Sequence, residues 1–112
     1  VEMLREALCM HPNVSVASTT GMVVDYARLI GATVLIRGIR SGSDAEFEMR
    51  LAGDNRRLAP EIATVLLPAE ASVADVSSSR LKERWREGDD VSSLCPPAVA
   101  ARLATRLAGV VA

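Results

Sequence analysis

A short apolar run, Ala32 to Ile36, constrains the fold of this chain more than any other feature. An uninterrupted run of this length is typical of a strand that is buried in a parallel sheet. Two arginines follow directly, in the sequence Arg37-Gly38-Ile39-Arg40. We therefore expect a strand that ends at Ile36, followed by a loop that holds both guanidinium groups at the strand's C-terminal end, where open α/β sheets bind their ligands.

Helical and strand patterns alternate along the rest of the chain. The predicted helices cover residues 1–10, 22–30, 43–58 and 79–86, and a last helix begins at Pro96-Pro97. Further strands are predicted at Val14 to Ala17 and at Ile62 to Leu67. Because this order indicates βαβ units, we predict a single α/β domain over residues 1–112, with three parallel strands flanked by helices.

The composition narrows the class of protein. With 112 residues, of which 49% are hydrophobic, the chain has enough apolar material for one globular domain. A formal net charge of −1 argues against a general nucleic-acid-binding protein, which is usually strongly basic. No uncharged apolar run is long enough to predict a membrane span. Cys9 and Cys95 fall in no metal-binding or redox spacing, which is typical of reduced thiols in a cytosolic protein.

Three polar segments are expected to meet at one edge of the sheet, because right-handed crossovers bring the strand C-termini together. These segments are Thr19-Thr20-Gly21, Arg37 to Arg40, and the loop that ends in Ser77-Ser78-Ser79. A planar guanidinium suits phosphate oxygens, and a helix that begins at serines offers free N–H groups to an anion. The alternatives are surface arginines of an ordinary loop and serines that only cap a helix. Arginines and serines together favour phosphate binding.

Several motifs between residues 37 and 92 follow one another in a fixed order. They are Arg37-Gly-Ile-Arg40, Asp44-x-Glu46-Phe47-Glu48-Met49, Asn55-Arg56, Leu58-Ala-Pro-Glu61, Val76-Ser-Ser-Ser79 and Gly88-Asp89-Asp90-Val91-Ser92. In this order they resemble the phosphopantetheine adenylyltransferase family. The resemblance implies a Rossmann-like nucleotidyltransferase fold and adenylyl transfer from ATP to phosphopantetheine, giving dephospho-coenzyme A and pyrophosphate. It also implies magnesium as cofactor, a bacterial cytoplasmic location and a homo-oligomer, usually a hexamer.

The same resemblance implies roles for individual residues. Val23 and Arg37 fall at positions that contact phosphopantetheine, and Arg40 falls at a position on the ATP phosphates. The ATP-binding positions are Gly38, Ile39, Arg40, Glu48, Val73, Ala74, Asp75, Val76, Ser77, Ser78 and Ser79. For Glu48 the alternative interpretation is an ordinary helix glutamate. No residue of the chain is identified as a magnesium ligand.

Ser43 and Glu46 have the spacing of a capping box, Ser-x-x-Glu, at the start of the helix predicted over residues 43–58. Asp44 and Glu46 are therefore interpreted as structural groups. Glu46 is expected to close the capping box and to have no further role.

The sequence departs from the family pattern in the loop before the serines. Val73 and Asp75 stand where the family usually has an aromatic residue and a phenylalanine. Loss of an aromatic face weakens the wall available to a purine. Asp75 also adds a negative charge near a polyphosphate, which is unfavourable for ATP unless the carboxylate is turned away or bridged to the phosphates by a metal ion.

A larger departure is the family's front part, with its His-x-Gly-His motif, which does not occur in these residues. His11, the single histidine, lies in a His-Pro-Asn turn and matches neither motif histidine. We therefore assign no catalytic residue and expect the chain to resemble the back part of the enzyme, inactive by itself. The alternative is a non-catalytic nucleotide-binding or interaction module with the same fold.

Overall fold

The computed structural model describes the backbone of residues 1–108 and the side chains of residues 1–106. Two compact units make up the chain: Val1–Ser18 with Val76–Ala112, and Thr19–Asp75. In chain order the elements are α1 (Glu2–Leu8), α2 (Val23–Leu29), β1 (Val34–Ile39), α3 (Gly42–Leu58), β2 (Ala63–Pro68), a 3₁₀ helix (Ala71–Val73), α4 (Ser78–Arg86) and α5 (Pro97–Ala108). The expectation of a single domain over residues 1–112 stays a prediction, and residues 109–112 lie outside the described part.

The Thr19–Asp75 unit contains a parallel pair of strands. β1 and β2 pair in one register from Val34 opposite Ala63 to Ile39 opposite Pro68. The predicted α/β class with a parallel sheet flanked by helices is therefore confirmed, as a partial Rossmann-like fold.

The third predicted strand, at Val14 to Ala17, is wrong. These residues have no regular secondary structure, and within residues 1–108 the sheet holds β1 and β2 alone. A strand exists only where a neighbouring strand pairs with its backbone N–H and C=O groups. The apolar pattern of Val14 to Ala17 suggests a strand, but it does not provide a neighbouring strand to pair with.

β1 continues past Ile36, where the strand was predicted to end. Arg37, Gly38 and Ile39 pair with Leu66, Leu67 and Pro68 of β2. The prediction that Arg37 lies in a loop is therefore wrong. Of the two arginines, only Arg40 lies beyond the end of the strand. Ladder pairing overrides the local preference of a charged residue for a loop, because it satisfies the backbone groups along the whole length of β2.

The two faces of this sheet differ in burial. Leu35 packs against the small core of the unit, and α3 contacts both strands. On the opposite face the side chains of Val34, Ile36, Val65 and Leu67 are exposed, with Ile36 at 70% and Leu67 at 61%. The apolar run of β1 was expected to be buried, and its outward half is not. We refer to these four residues as the open apolar face.

The core of the Thr19–Asp75 unit is small and lies beside α2. Its buried residues are Val24, Ala27, Ala59 and Ile62. An ion pair reinforces it: Arg28 of α2 pairs with Glu61 just before β2. The Arg28 Nη2 group also donates to the Leu58 carbonyl oxygen at 2.9 Å. These contacts tie α2 to the segment between α3 and β2.

Ser41, not Ser43, caps α3. The Ser41 backbone is extended, and its hydroxyl accepts a hydrogen bond from the Asp44 N–H at 3.2 Å. The capping box predicted for Ser43 and Glu46 is therefore wrong. The helix begins at Gly42, so Asp44 occupies the position that Glu46 was expected to fill.

In the other unit, α1 contacts α5. Arg102 of α5 pairs with both Glu2 and Glu6 of α1. No helix described within residues 1–108 combines the length and the apolar character that crossing a membrane requires.

Candidate functional site

The C-terminal ends of β1 and β2 lie side by side. The Ala69 N–H donates to the Ile39 carbonyl oxygen at 2.8 Å, which extends the ladder by one step beyond the paired strands. Arg40 leaves β1 at this edge, and the 3₁₀ helix Ala71–Val73 follows β2 from the same edge. Within this unit Arg40 and the segment that carries Val73, Ala74 and Asp75 therefore leave the sheet at its C-terminal edge, where open α/β sheets bind their ligands.

Arg37 is held by Glu48 of α3. Arg37 Nε donates to Glu48 Oε2 at 2.9 Å, and Arg37 Nη2 donates to Glu48 Oε1 at 2.9 Å. This is a bidentate pair, the strongest common geometry for an arginine and a carboxylate. Glu48 is buried, at 8% exposure, whereas nearly half of the Arg37 side chain is exposed.

The pair changes the protonation behaviour of both groups. Hydrogen bonds from Arg37 lower the pKa of Glu48, although burial opposes this effect. Hydrogen bonds to Glu48 raise the pKa of Arg37. Both side chains are therefore charged at neutral pH. Both carboxylate oxygens of Glu48 are engaged by Arg37, while the Arg37 Nη1 group takes no part in the pair.

Arg40 is held in a different way, at the turn into α3. Its backbone N–H donates to Asp44 Oδ2 at 3.1 Å, and its Nε donates to the same oxygen at 3.3 Å. The Asp44 N–H in turn donates to the Ser41 hydroxyl. Asp44 thus orders the turn between β1 and α3 and fixes the backbone of Arg40 next to the helix N-terminus.

The serine segment begins α4 in the other unit. Ser77 is the N-cap, and its hydroxyl accepts from the Arg80 N–H at 3.2 Å. Ser77 therefore has the helix-capping role that was the alternative to phosphate binding. Ser78 and Ser79 are the exposed first residues of the helix, and within residues 1–108 their hydroxyls make no hydrogen bond.

A cavity of about 320 Å³ lies in the same unit, against α4 and α5. It is lined by Met3, Ser78, Leu81, Lys82, Val99, Arg102, Leu103 and Arg106. The lining is mainly apolar, with basic groups beside Ser78. The cavity is smaller than most pockets that enclose a whole nucleotide-sized ligand.

The remaining predicted site residues have few contacts. Val23 is the first residue of α2 and is half-exposed. Val73 is half-exposed in the 3₁₀ helix, and Asp75 is exposed at the end of the unit. Gly38 lies in β1, and a Cβ atom placed there would meet nothing within 4 Å.

Sequence reasoning missed that Glu48 is the partner of Arg37. The two residues were assigned to different substrates, because the resemblance treats each position separately. Their contact depends on how α3 packs on β1, for which the sequence holds no local signal. One signal was present in the sequence: Glu48 falls on the apolar face of the α3 pattern, and a glutamate that is buried there needs a positively charged partner.

Among residues 1–108, no group of three or more His, Cys, Asp or Glu side chains is arranged as a set of metal ligands. Asp44, a carboxylate near Arg40, is already paired with it. The described residues therefore do not fit a metal site built from protein ligands alone.

Comparison with known proteins places the chain in a family. The model of the cytidylyltransferase-like family matches residues 1–84. A phosphopantetheine adenylyltransferase from Methylococcus capsulatus is 46% identical over 107 residues, which cover 96% of this chain and 66% of the relative. Phosphopantetheine adenylyltransferases from a Nocardioides species and from Levilactobacillus brevis are 46% and 42% identical, with 67% and 68% of the relative covered.

The chain thus spans about two thirds of the length of these relatives. The matched region covers nearly all of this chain's own residues. The chain belongs to the cytidylyltransferase-like family and, within it, to the phosphopantetheine adenylyltransferases.

Proposed function

We propose that this chain takes part in adenylyl transfer from ATP to phosphopantetheine, giving dephospho-coenzyme A and pyrophosphate. The observation that carries the proposal is the Arg37-Gly38-Ile39-Arg40 stretch at the C-terminal edge of the sheet, in a chain that belongs to this family. Guanidinium groups at this edge suit two phosphate-bearing substrates.

In the proposed reaction a phosphate oxygen of phosphopantetheine attacks the α-phosphorus of ATP. The bond from that phosphorus to the bridging oxygen breaks, and pyrophosphate leaves. The protein contributes by positioning the substrates and stabilising charge, with no covalent intermediate. Arg40, with Gly38 and Ile39, would hold ATP, and Arg37 would hold the phosphopantetheine arm.

The serine segment would bind the nucleotide from the N-terminus of α4. Ser78 and Ser79 carry hydroxyls that make no hydrogen bond within residues 1–108, and they lie among the first N–H groups of the helix. N–H groups at this position favour an anion. Val73, Ala74, Asp75 and Val76 are proposed as further ATP-binding positions.

For the cofactor, we propose that magnesium arrives bound to the phosphates of ATP. A magnesium ion held mainly by phosphates and water needs few protein ligands, so the lack of a ligand cluster in residues 1–108 does not conflict with it. As in the family, we propose a cytoplasmic enzyme that assembles as a homo-oligomer, with a hexamer as the expected state.

A second candidate is a non-catalytic module that binds a nucleotide or a partner. It is favoured by Val73 and Asp75, which leave the loop after β2 exposed and without an aromatic wall. Such a loop stacks poorly on adenine.

Kinetic measurements distinguish the adenylyltransferase from the non-catalytic module. The 112-residue chain should release no pyrophosphate from ATP and phosphopantetheine, because it lacks the family's His-x-Gly-His motif. Fusion to the front part of the Methylococcus capsulatus relative, where the family resemblance places that motif, should restore activity.

Release of pyrophosphate, followed with a coupled enzyme assay, is the measurement. The same fusion with both motif histidines replaced by alanine is the control. A fusion that binds ATP without turnover would favour the non-catalytic module. Full turnover by the unfused chain would mean that the arginines and serines suffice for the chemistry.

A further inference from the structure

We propose that Asp44 is a positioning residue for Arg40. In this inference, which rests on the proposed function, Asp44 orders the guanidinium group that receives the phosphates of ATP. The sequence pattern indicated only a structural group at the start of a helix. The contacts of the Asp44 carboxylate extend beyond that role, because they reach the side chain of Arg40 as well as its backbone.

The start of α3 departs from an ordinary capping box. In such a box the acidic residue at the third helical position accepts a hydrogen bond from the backbone N–H of the N-cap residue. Asp44 is at that position and Ser41 is the N-cap. However, Asp44 Oδ2 accepts from the residue before the cap, from the Arg40 N–H at 3.1 Å and from Arg40 Nε at 3.3 Å. One carboxylate oxygen therefore holds both the backbone and the guanidinium of Arg40.

This contact should affect ligand binding more than folding. The Arg40 and Asp44 side chains are 43% and 34% exposed, and an exposed pair four residues apart adds little to stability. A long side chain that is already ordered, however, loses less conformational freedom when it binds a ligand. The negative charge of Asp44 opposes this effect by repelling phosphates, but water and salt screen repulsion between exposed charges. The ordering of Arg40 should therefore outweigh the repulsion.

Three substitutions separate positioning from helix capping. Asp44→Ala removes both hydrogen bonds to Arg40. Ser41→Ala is the matched control, because it removes the hydroxyl that caps α3 and leaves the Asp44 carboxylate in place. Arg40→Ala provides the background for a comparison, because residue 40 keeps its backbone N–H there and loses only the guanidinium. A difference between the two backgrounds thus reports the bond between Asp44 and the guanidinium.

The experiment measures binding of ATP and of phosphopantetheine separately, by calorimetry, to the fusion with the Methylococcus capsulatus front part and to the unfused chain. We expect Asp44→Ala to weaken ATP binding about threefold to tenfold, the cost of ordering one long side chain. Ser41→Ala should change ATP binding less than twofold, and Asp44→Ala should change phosphopantetheine binding less than twofold. In the fusion, Asp44→Ala should raise the KM for ATP with little change in kcat.

In the Arg40→Ala background, Asp44→Ala should not weaken ATP binding any further. A second readout, the NMR signal of the Arg40 Nε–H group, does not depend on the proposed function. Its heteronuclear NOE measures the order of the guanidinium, and it should decrease in Asp44→Ala and stay unchanged in Ser41→Ala. Circular dichroism would show whether each variant is folded. Asp44→Asn, which keeps one oxygen acceptor and removes the charge, should act in the same direction if Asp44→Ala does not fold.

Several results would overturn the inference. Unchanged or tighter ATP binding in Asp44→Ala would mean that the carboxylate does not prepare Arg40 for the phosphates. Equal weakening in both backgrounds would mean that Asp44 acts independently of the guanidinium, and equal weakening by Ser41→Ala would mean that the helix cap is responsible. An unchanged NOE, or failure of ATP to bind either parent protein, would also overturn it. The expected binding pattern without turnover in the fusion would instead support the inference and count against the proposed function.

Discussion

Arg37 and Arg40 are close in sequence, but the structure holds them in different ways. Arg37 is fixed within β1 and paired with Glu48 on α3, whereas Arg40 lies on the turn and is fixed through its backbone by Asp44. Two arginines that are oriented by different neighbours need not point at the same group. This residue-scale difference agrees with the assignment of one arginine to each substrate.

The two arginines should therefore be separable by mutation. A hydrogen bond to a charged group contributes roughly 1.5–3 kcal/mol, so Arg40→Ala should weaken ATP use by about tenfold to a hundredfold. The effect on phosphopantetheine should be smaller, and Arg37→Ala should show the opposite bias. Lysine at either position should rescue only in part, because an ammonium cannot reproduce the planar fork.

Steady-state kinetics of the fusion, with each substrate varied in turn, measure this bias. Arg50→Ala, which removes an exposed arginine of α3, is the matched control and should leave both substrates unaffected. Equal losses for both substrates in both arginine variants would show that the roles are divided wrongly.

At this scale the sequence predicted which residue types lie at the sheet edge, but not their partners. The arginines were expected there from the strand pattern alone. Glu48 reaches Arg37 only because α3 folds back across β1, and Ser41 replaced Ser43 as the cap because the helix begins earlier than its pattern indicated. Both features depend on three-dimensional arrangement and not on local preference.

At the scale of elements, two ion pairs hold the Thr19–Asp75 unit together. Glu48 on α3 pairs with Arg37 on β1, and Glu61 before β2 pairs with Arg28 on α2. Hydrogen bonds from these arginines lower the pKa of both glutamates, and a weak repulsion from Asp44 opposes the effect at Glu48. Each pair therefore stabilises the fold only while its glutamate is ionised.

The unit should consequently lose stability in acid. A carboxyl group whose pKa is lower in the folded state contributes its full stabilisation above its ordinary pKa, about 4.3. The contribution decreases as the pH falls below that value and is lost once the pH is below the lowered pKa. The urea concentration at the unfolding midpoint should therefore decrease as the pH is lowered through the ordinary glutamate pKa of about 4.3. The double variant Glu48→Gln, Glu61→Gln should be less stable at pH 7, but its stability should depend less on pH.

Fluorescence of Tyr26, the single tyrosine and part of α2, reports this unit when Trp85 is replaced by phenylalanine. Glu46→Gln is the control, since Glu46 is exposed and should leave the pH profile unchanged. Parallel pH profiles for the double variant and the parent would contradict the assignment.

Element positions were largely predictable, because the helical period and the short apolar runs are local properties. All predicted helices occur within a few residues of their expected bounds, and two of the predicted strands pair in parallel. Val14 to Ala17 failed because a strand is defined by its neighbour. β1 was predicted too short because pairing with β2, not composition, sets where it ends.

At the scale of the whole chain, the open apolar face leaves apolar side chains of both strands exposed to solvent. Parallel sheets are normally covered on both sides. Here Ile36 of β1 and Leu67 of β2 lie on the same face of the sheet, and most of the surface of each side chain is exposed. A contiguous apolar patch of this kind, on a sheet with unpaired edges, favours self-association.

The 112-residue chain should therefore self-associate, and the double variant Ile36→Thr, Leu67→Thr should reduce this. Threonine is β-branched, which suits a strand, and it makes the surface more polar. Sedimentation velocity at several concentrations measures the effect. Met10→Thr is the control, because Met10 is even more exposed but belongs to the other unit. Equal behaviour of the two variants would mean that the open apolar face is not what associates.

The pairing register of β1 has one further consequence. Side chains alternate along a strand, so Arg37 lies on the α3 side and its neighbour Ile36 on the open side. A slip of one residue would exchange them: Ile36 would meet the Glu48 carboxylate, and the arginine would be turned away from its only bidentate partner. The Arg37–Glu48 pair thus also selects the register of the sheet, since misalignment would leave the buried Glu48 carboxylate without this counterion.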